Sequence, residues 1–465
     1  MILHRLGFRG RFTCLLVWMI CATLTLHATS YAQTPRIQGQ GTAASGQGNA
    51  FAAQADDASA LHYNPAGMTQ LRGVQFMNGS LFLGGATSHV SPAGQATRGD
   101  RGGSVAWPPP THFYLTANLK DIGFDALEKW TAGVGITVPF GSLTEYQETA
   151  PFRDSVIFNT LPLLDIKPTV AYKLNDKLSF GLGADIYTFS TLFGEGQLEI
   201  KRKSSATGAI LELNGSGTGV GFNASMMYTP LRNAEGKPLA NVGIVYRSQA
   251  VVPLSGQFIS SGAALADAKA NLVLPQIVTG AIALWPVRDQ EREWKLEMDV
   301  DHIRWKSFRN TTVALSTGGG IPVAQNWRDS YNVMLGTEYK WLKIERMPEW
   351  EVALRGGYTH LQTQMPDQTY NPGIPSADTH IPSVGLGFTC KENGSFLGLT
   401  KCSNIGLGPI KSKSIGLDLS YQAAFYEDRT VSGQVTSATA GTNAAANGTY
   451  RTTIHAGGVT LRFNF

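Results

Sequence analysis

The residues able to do chemistry in this chain are its histidines, its cysteines and one pair of acids. Beyond residue 32 the histidines are His62, His89, His112, His302, His360, His380 and His455, all scattered singly. No Gly-x-Ser-x-Gly elbow supplies a nucleophile for any of them, so a hydrolase is the weakest reading and no enzyme is expected. The Gly-x-Gly pairs Gly181-Leu182-Gly183 and Gly215-Ser216-Gly217 do not extend into a phosphate fingerprint. No cofactor is expected, and no ATP coupling. Cys390 and Cys402 lack the nearby histidines of a zinc site. They read as a disulfide closing a Gly/Ser-rich loop, with two free thiols as the alternative. What is left is positioning chemistry. Asp56 and Asp57 sit in an Ala-rich stretch over 45–68 that ends in Asn64-Pro65-Ala66-Gly67. Pro65 fixes φ, Asn64 bonds its own backbone and Gly67 tolerates positive φ, which together make a tight turn.

The segments that must carry these residues start with a leader. Arg5, Arg9 and Arg11 precede an apolar run from Cys14 to Leu26, and Ser30-Tyr31-Ala32 forms a small-x-small cleavage site. Residues 1–32 are therefore expected to be a signal peptide, because an apolar run of about 13 residues is short for a span. Lys and Arg total 38 against 34 Asp and Glu, and the leader takes three of those positive charges with it. The near-balance argues against a nucleic-acid partner.

Hydrophobic residues make up 43% and charged residues only 15%, with 52 glycines, yet no segment beyond the leader is a continuous apolar helix. A transmembrane barrel reconciles these facts, since half of each strand meets lipid. Alternation tests the idea. Leu178, Phe180, Leu182, Ala184 and Ile186 interleave with Ser179, Gly181, Gly183, Asp185 and Tyr187. Trp294, Leu296, Met298 and Val300 interleave with Lys295, Glu297, Asp299 and Asp301, which puts one lysine and three acids on the wet side. Ile415 to Gln422 and Gly458 to Phe465 repeat the pattern. Strands are expected near 73–90, 103–119, 130–147, 164–174, 177–190, 207–229, 239–260, 270–286, 293–315, 328–341, 350–364, 381–391, 411–431 and 448–465, about fourteen and even in number. Tyr172, Tyr246, Trp305, Tyr339, Trp341 and Tyr358 are candidates for interfacial girdles. A general porin or adhesin barrel would share all of this.

The Ala-rich stretch with Asp56, Asp57 and Asn64-Pro65-Ala66 resembles the N-terminal hatch of the outer-membrane transport family typified by the long-chain fatty acid transporter and its toluene and xylene relatives. Gly243-Ile244-Val245-Tyr246-Arg247-Ser248, Leu274-Pro275-Gln276-Ile277, Trp305-Lys306-Ser307-Phe308, and Leu354-Arg355-Gly356-Gly357-Tyr358 followed by Ile374-Pro375 fall in that family's order. The resemblance implies an all-β fold: an antiparallel barrel of about fourteen strands over 73–465, with a hatch over 33–72 inside its lumen. It further implies a multi-pass protein of the bacterial outer membrane that takes up hydrophobic solutes, either fatty acids or aromatic hydrocarbons. In the family a kinked third strand leaves a lateral gap through which solute enters the bilayer. Here the third strand contains Pro139-Phe140-Gly141, and Pro139 cannot donate to a ladder while Gly141 allows a bend. A β-bulge without a transport role is the alternative.

One feature departs from the family pattern. Its fatty acid transporters carry a basic residue after the fifth strand, whereas Tyr187-Thr188-Phe189-Ser190 has none. Lys201, Arg202 and Lys203 follow, as candidates for that role or for lipopolysaccharide phosphates. Asp56 and Asp57 are expected to hold the hatch through luminal cations such as Arg247 or Arg355. Phe463 and Phe465, alternating to the last residue, resemble the signal read by the barrel assembly machinery.

Overall fold

Alternating strands close here into one antiparallel barrel. The computed structural model describes residues 36–101, 111–191, 195–308, 311–323, 325–396, 398–407, 410–434 and 444–465. The leader expected over 1–32 lies outside them. The staves are β1 (Val74–Val90), β2 (Ala96–Arg101 and His112–Asn118), β3 (Trp130–Tyr146), β4 (Phe158–Lys173), β5 (Leu178–Thr188), β6 (Gly219–Arg232) and β7 (Pro238–Arg247). They continue through β8 (Ile277–Arg288), β9 (Arg292–Ile303), β10 (Ser330–Trp341), β11 (Trp350–Leu361), β12 (Thr379–Lys391), β13 (Ser414–Tyr426) and β14 (Gly448–Asn464). Each pairs with the next in sequence, and β14 pairs with β1 from Gln75↔Asn464 to Val90↔Thr449. Among the described residues the fourteen staves close on themselves, which is what a strand-built membrane protein requires.

The expected count holds, and the bounds differ where loops form sheet of their own. The stretch expected as one strand over 239–260 leaves the barrel at Arg247, and Ala250–Ser260 then pairs with Ala263–Leu274 as a hairpin above it. Leu198–Lys203 with Ile210–Gly215 makes another hairpin, and the two are joined through Phe258↔Leu213. Alternation continues into these hairpins, so hydrophobic period alone did not mark the barrel rim. The strand expected over 293–315 stops at Ile303, where Trp305–Ser307 forms a 3-10 turn. Trp305 turns inward, nearly fully buried against Phe140 and Trp327, and so is no girdle residue. Tyr172 beside Trp130 and Tyr339 beside Trp341 do lie at the end of the barrel with short connections.

The two ends differ as they do in bacterial barrels. Short turns such as 174–177, 233–237 and 289–291 lie at the end that also holds Val74 and Phe465, whose backbones bond each other. Long connections crowd the other end. That assigns the short-turn end to the periplasm. Outward side chains including Leu182, Val220, Leu354 and Val384 are more than half exposed, an apolar belt that suits lipid and not water. Lys295, Glu297, Asp299 and Asp301 face inward and are buried. Residues 36–73 fill the lumen through α1 (Thr42–Ser45), α2 (Ala60–Tyr63) and a 3-10 turn over Pro65–Gln70. This hatch packs so closely that a Cβ on Gly357 would overlap the Gln47 backbone, and one on Gly181 would overlap Ala66. Glycines on the wall therefore mark where hatch backbone touches it.

Candidate functional site

Two fastenings and a cavity between hatch and wall make up the site. The first fastening sits in β3. Thr137 pairs with Asp165 but Phe140 pairs with Leu163, so β3 carries one extra residue and its ladder to β4 breaks. Among the described residues Val138 and Pro139 have no strand partner, and Pro139 has no N–H to offer. The hatch supplies the missing partners. Ile37 N donates to Pro139 O at 2.9 Å, Gln40 Nε2 donates to Val138 O at 2.9 Å, and Val138 N donates to Gln40 Oε1 at 3.0 Å. Arg36 forms a bridge to Phe140, and Ile37 packs on Val138 and Leu164. The hatch's first residues thus act as a short substitute strand. Pro139, Phe140 and Gly141, singled out in the sequence, meet here, whereas Arg36, Ile37 and Gln40 were not foreseen.

The second fastening is made by buried carboxylates. Asp299 Oδ2 accepts from Phe51 N and Ala52 N, both at 2.9 Å, and Glu297 Oε1 accepts from Ala53 N at 2.6 Å and Gln54 N at 3.1 Å. Four consecutive hatch amides are held by two side chains of β9. Lys295 Nζ balances Glu297 at 2.8 Å. Asn241 Nδ2 donates to Ala53 O at 2.9 Å, Ser225 Oγ accepts from Ala66 N at 2.8 Å, and Ser179 Oγ donates to Ala66 O at 3.0 Å. Asn64 staples the hatch to itself, donating to Ala52 O at 2.7 Å and accepting from Ala66 N at 3.1 Å. Asn64, Pro65 and Ala66 therefore form the turn that closes the hatch body. Burial, with the Arg247 guanidinium next in effect, holds the neighbouring His62 imidazole well below its usual pKa.

The expected pairing of Asp56 and Asp57 with Arg247 or Arg355 is not what forms. Asp56 pairs with Lys340 at 3.1 Å, and Asp57 turns back to accept from Ser59 N at 2.8 Å and Ser59 Oγ at 2.6 Å. Wall acids already hold the two arginines. Arg355 lies opposite Glu338 across the β10–β11 ladder and bonds it at 2.6 Å, and it reaches Asp418 at 2.7 Å. Arg247 pairs with Asp185 at 3.2 Å and donates to the His62 carbonyl. Cross-strand register sets the Glu338–Arg355 pair, while Asp418 and Asp185 each reach their arginine across one intervening stave. In the outer hairpin, Lys201 sits between Glu199 and Glu212, and Lys203 pairs with Glu148. Cys390 and Cys402 are bonded to each other at the periplasmic rim, against Trp350, Ile415 and Phe463.

Directly inside the β3 break lies a cavity of about 160 Å³. Leu81, Leu83, Leu161, Leu361, Ile381 and Ile454 line it, together with polar residues that include Arg36, Gln38, Asn49, Ser142, Thr379 and Gln422. On the periplasmic side of the hatch a separate polar vestibule of about 340 Å³ is lined by Asp56, Glu338, Lys340, Arg355 and Arg462. The hatch thus divides an apolar chamber from a charged one.

A closed barrel with a luminal hatch, an apolar chamber and a wall break defines the class: a plugged transport barrel of the bacterial outer membrane. Residues 19–399 match the family described as outer membrane protein transport protein (OMPP1/FadL/TodX), and the chain belongs to it. It is 25% identical over 398 residues to the long-chain fatty acid transport protein of Escherichia coli K12, a match covering 77% of this chain and 83% of that one. Its fold is similar to that of a Pseudomonas aeruginosa FadL homologue, with TM-score 0.68, 15% identity, and coverage of 94% of this chain and 100% of the other. The Ralstonia pickettii toluene transporter TbuX is also similar, with TM-score 0.58, 15% identity, and coverage of 92% and 99%.

Proposed function

We propose that the protein carries hydrophobic solutes passively from the outer chamber into the bilayer, through the break in β3, and performs no catalysis. The observation that carries this reading is that Val138 and Pro139 bond to hatch residues Ile37 and Gln40 and have no strand partner among the described residues. Withdrawing residues 36–40 would free Val138 and Pro139 without unzipping a ladder between the described staves. A hydrophobic solute favours lipid over the periplasm, so the sideways route is downhill. The charged vestibule beneath the hatch would oppose the alternative path. The solute is a fatty acid or a neutral apolar compound, as for the relatives named above. Phe465 at the end of β14 would be read by the barrel assembly machinery, and outer-membrane lipid and lipopolysaccharide would surround the apolar belt.

The test is uptake by cells that lack their own transporter, given a labelled long-chain fatty acid or labelled toluene. Pro139→Ala/Gly141→Ala restores an N–H at the break and adds a methyl toward Ile37. Uptake of the transported solute should fall while conductance in planar bilayers stays low. Undiminished uptake in a correctly inserted double variant would remove the lateral route.

A further inference from the structure

We propose that the loop between β12 and β13, clamped by the Cys390–Cys402 disulfide, is a binding site for anionic phospholipid of the periplasmic leaflet. The loop runs over 392–413, at the end of the barrel where turns such as 174–177 and 289–291 suffice to join staves.

Register shows which side of the wall it covers. Trp350, Cys390 and Ile415 are direct cross-strand partners and form one row over β11 to β13. Their sequence neighbours Glu351, Thr389, Lys391, Ser414 and Gly416 line the vestibule inside the barrel, so the row faces outward. Four residues further along the same face, Leu354, Leu386 and Leu419 form a second row and are 51%, 41% and 39% exposed, part of the apolar belt. Cys390 and Ile415 are only 0% and 1% exposed, because the loop folds back over them. Cys402 is bonded to Cys390, Phe396 stacks on Trp350 at 6.0 Å, and Ile405 packs on the same cluster. The loop therefore lies on the lipid-facing surface, about 13 Å below the exposed leucines at ~3.3 Å per residue. That is the level of the periplasmic headgroups.

Its side chains suit that place. Residues 392–413 carry Lys401, Lys411 and Lys413 against one acid, Glu392. All three lysines are exposed, and among the described residues no carboxylate lies within ion-pair distance of them. Lys391 differs: it lines the vestibule and pairs with Glu351. Ser412 Oγ donates to the Cys402 carbonyl at 2.6 Å, which ties the chain beside Lys411 to the chain beside Lys401. Leu399, in the turn of the small hairpin that pairs Phe396 with Thr400, is 84% exposed. At a membrane surface an apolar tip reaches acyl chains while ammonium groups meet phosphates. A zwitterionic headgroup brings its own cation to its phosphate, so a net-anionic headgroup gains most from three lysines. The disulfide, stable in the oxidising periplasm, keeps them against the wall.

The experiment is titration of phosphatidylglycerol or phosphatidylcholine into the purified full chain in detergent, with lipid-bound species counted by native mass spectrometry. The first phosphatidylglycerol should bind about tenfold more tightly than the first phosphatidylcholine. Lys401→Gln/Lys411→Gln/Lys413→Gln changes exposed positions only, and should abolish that preference while leaving phosphatidylcholine binding as it was. Leu399→Ser should weaken both lipids about fivefold. An unaltered chain with no preference, or a triple variant that retains it, would overturn the proposal. Glycerol phosphate, an anionic headgroup without chains, should bind too weakly to detect. If it bound as tightly as the lipid, the site would be one for a soluble anion and the membrane assignment would fall.

Discussion

The hatch is held at its two ends by different chemistry. Residues 51–66 are fixed by two wall carboxylates on four backbone amides, by three further polar side chains, and by tight backbone contact against wall glycines. Residues 36–40 are fixed by the break in β3, one glutamine amide and one partly buried ion pair. The body is anchored by charge-assisted bonds, which are roughly twice as strong as neutral ones, while the tip relies mostly on neutral bonds. The difference teaches where motion belongs. On the proposed lateral route a solute would displace the tip without moving the plug, and the aqueous path would stay closed.

The strongest way to break that contrast is to release the body. Glu297→Ala/Asp299→Ala leaves four buried N–H donors without acceptors, at about 1–3 kcal/mol for each that stays unsatisfied. The plug should loosen, and planar-bilayer conductance should change from low and irregular to large and sustained. If conductance stays low in a folded double variant, the carboxylates are not the body's main anchor.

A smaller effect sharpens the contrast from the other side. Gln40→Leu removes both bonds to Val138 and lowers the cost of withdrawing the tip by roughly 1–3 kcal/mol. Solute uptake should rise several-fold with conductance unchanged. A rise in conductance instead would mean that tip and body move together.

How much of this was visible in the sequence differs between the same two regions. The alternation Lys295-Leu-Glu-Met-Asp-Val-Asp301 put three acids on the wet side, and two of them prove to be the body's anchor. Period-2 patterning reads a wall directly because each side chain's face follows from its position. It also gave the number of staves. The tip was not legible, because Arg36 to Gln40 has no periodicity and Gln40 meets Val138 across 98 residues of chain. Pro139 and Gly141 located the break, but no rule of local sequence says what fills it. Asp56 and Asp57 misled for the opposite reason. An acidic pair in an apolar segment invites a cation, yet Arg247 and Arg355 were claimed by wall acids, Asp185 across one intervening stave and Glu338 on the neighbouring one.

Asp56 supplies the smallest test, and it bears on the comparison by what it leaves alone. Its pair with Lys340 joins side chains that are 29% and 24% exposed, in the charged periplasmic vestibule and not between hatch and chamber. Lys340 also has Glu338 at 3.0 Å, so losing Asp56 strands no cation. Partly solvated pairs of this kind contribute about 0–1 kcal/mol. Asp56→Asn should therefore shift thermal stability little and leave both conductance and uptake unchanged. Asp57→Ala should cost somewhat more stability, since the Asp57 carboxylate closes the Ser59 turn within the hatch. If Asp56→Asn instead opened the barrel, the body would be anchored from its periplasmic face, and the division of work between carboxylates and tip would have to be redrawn.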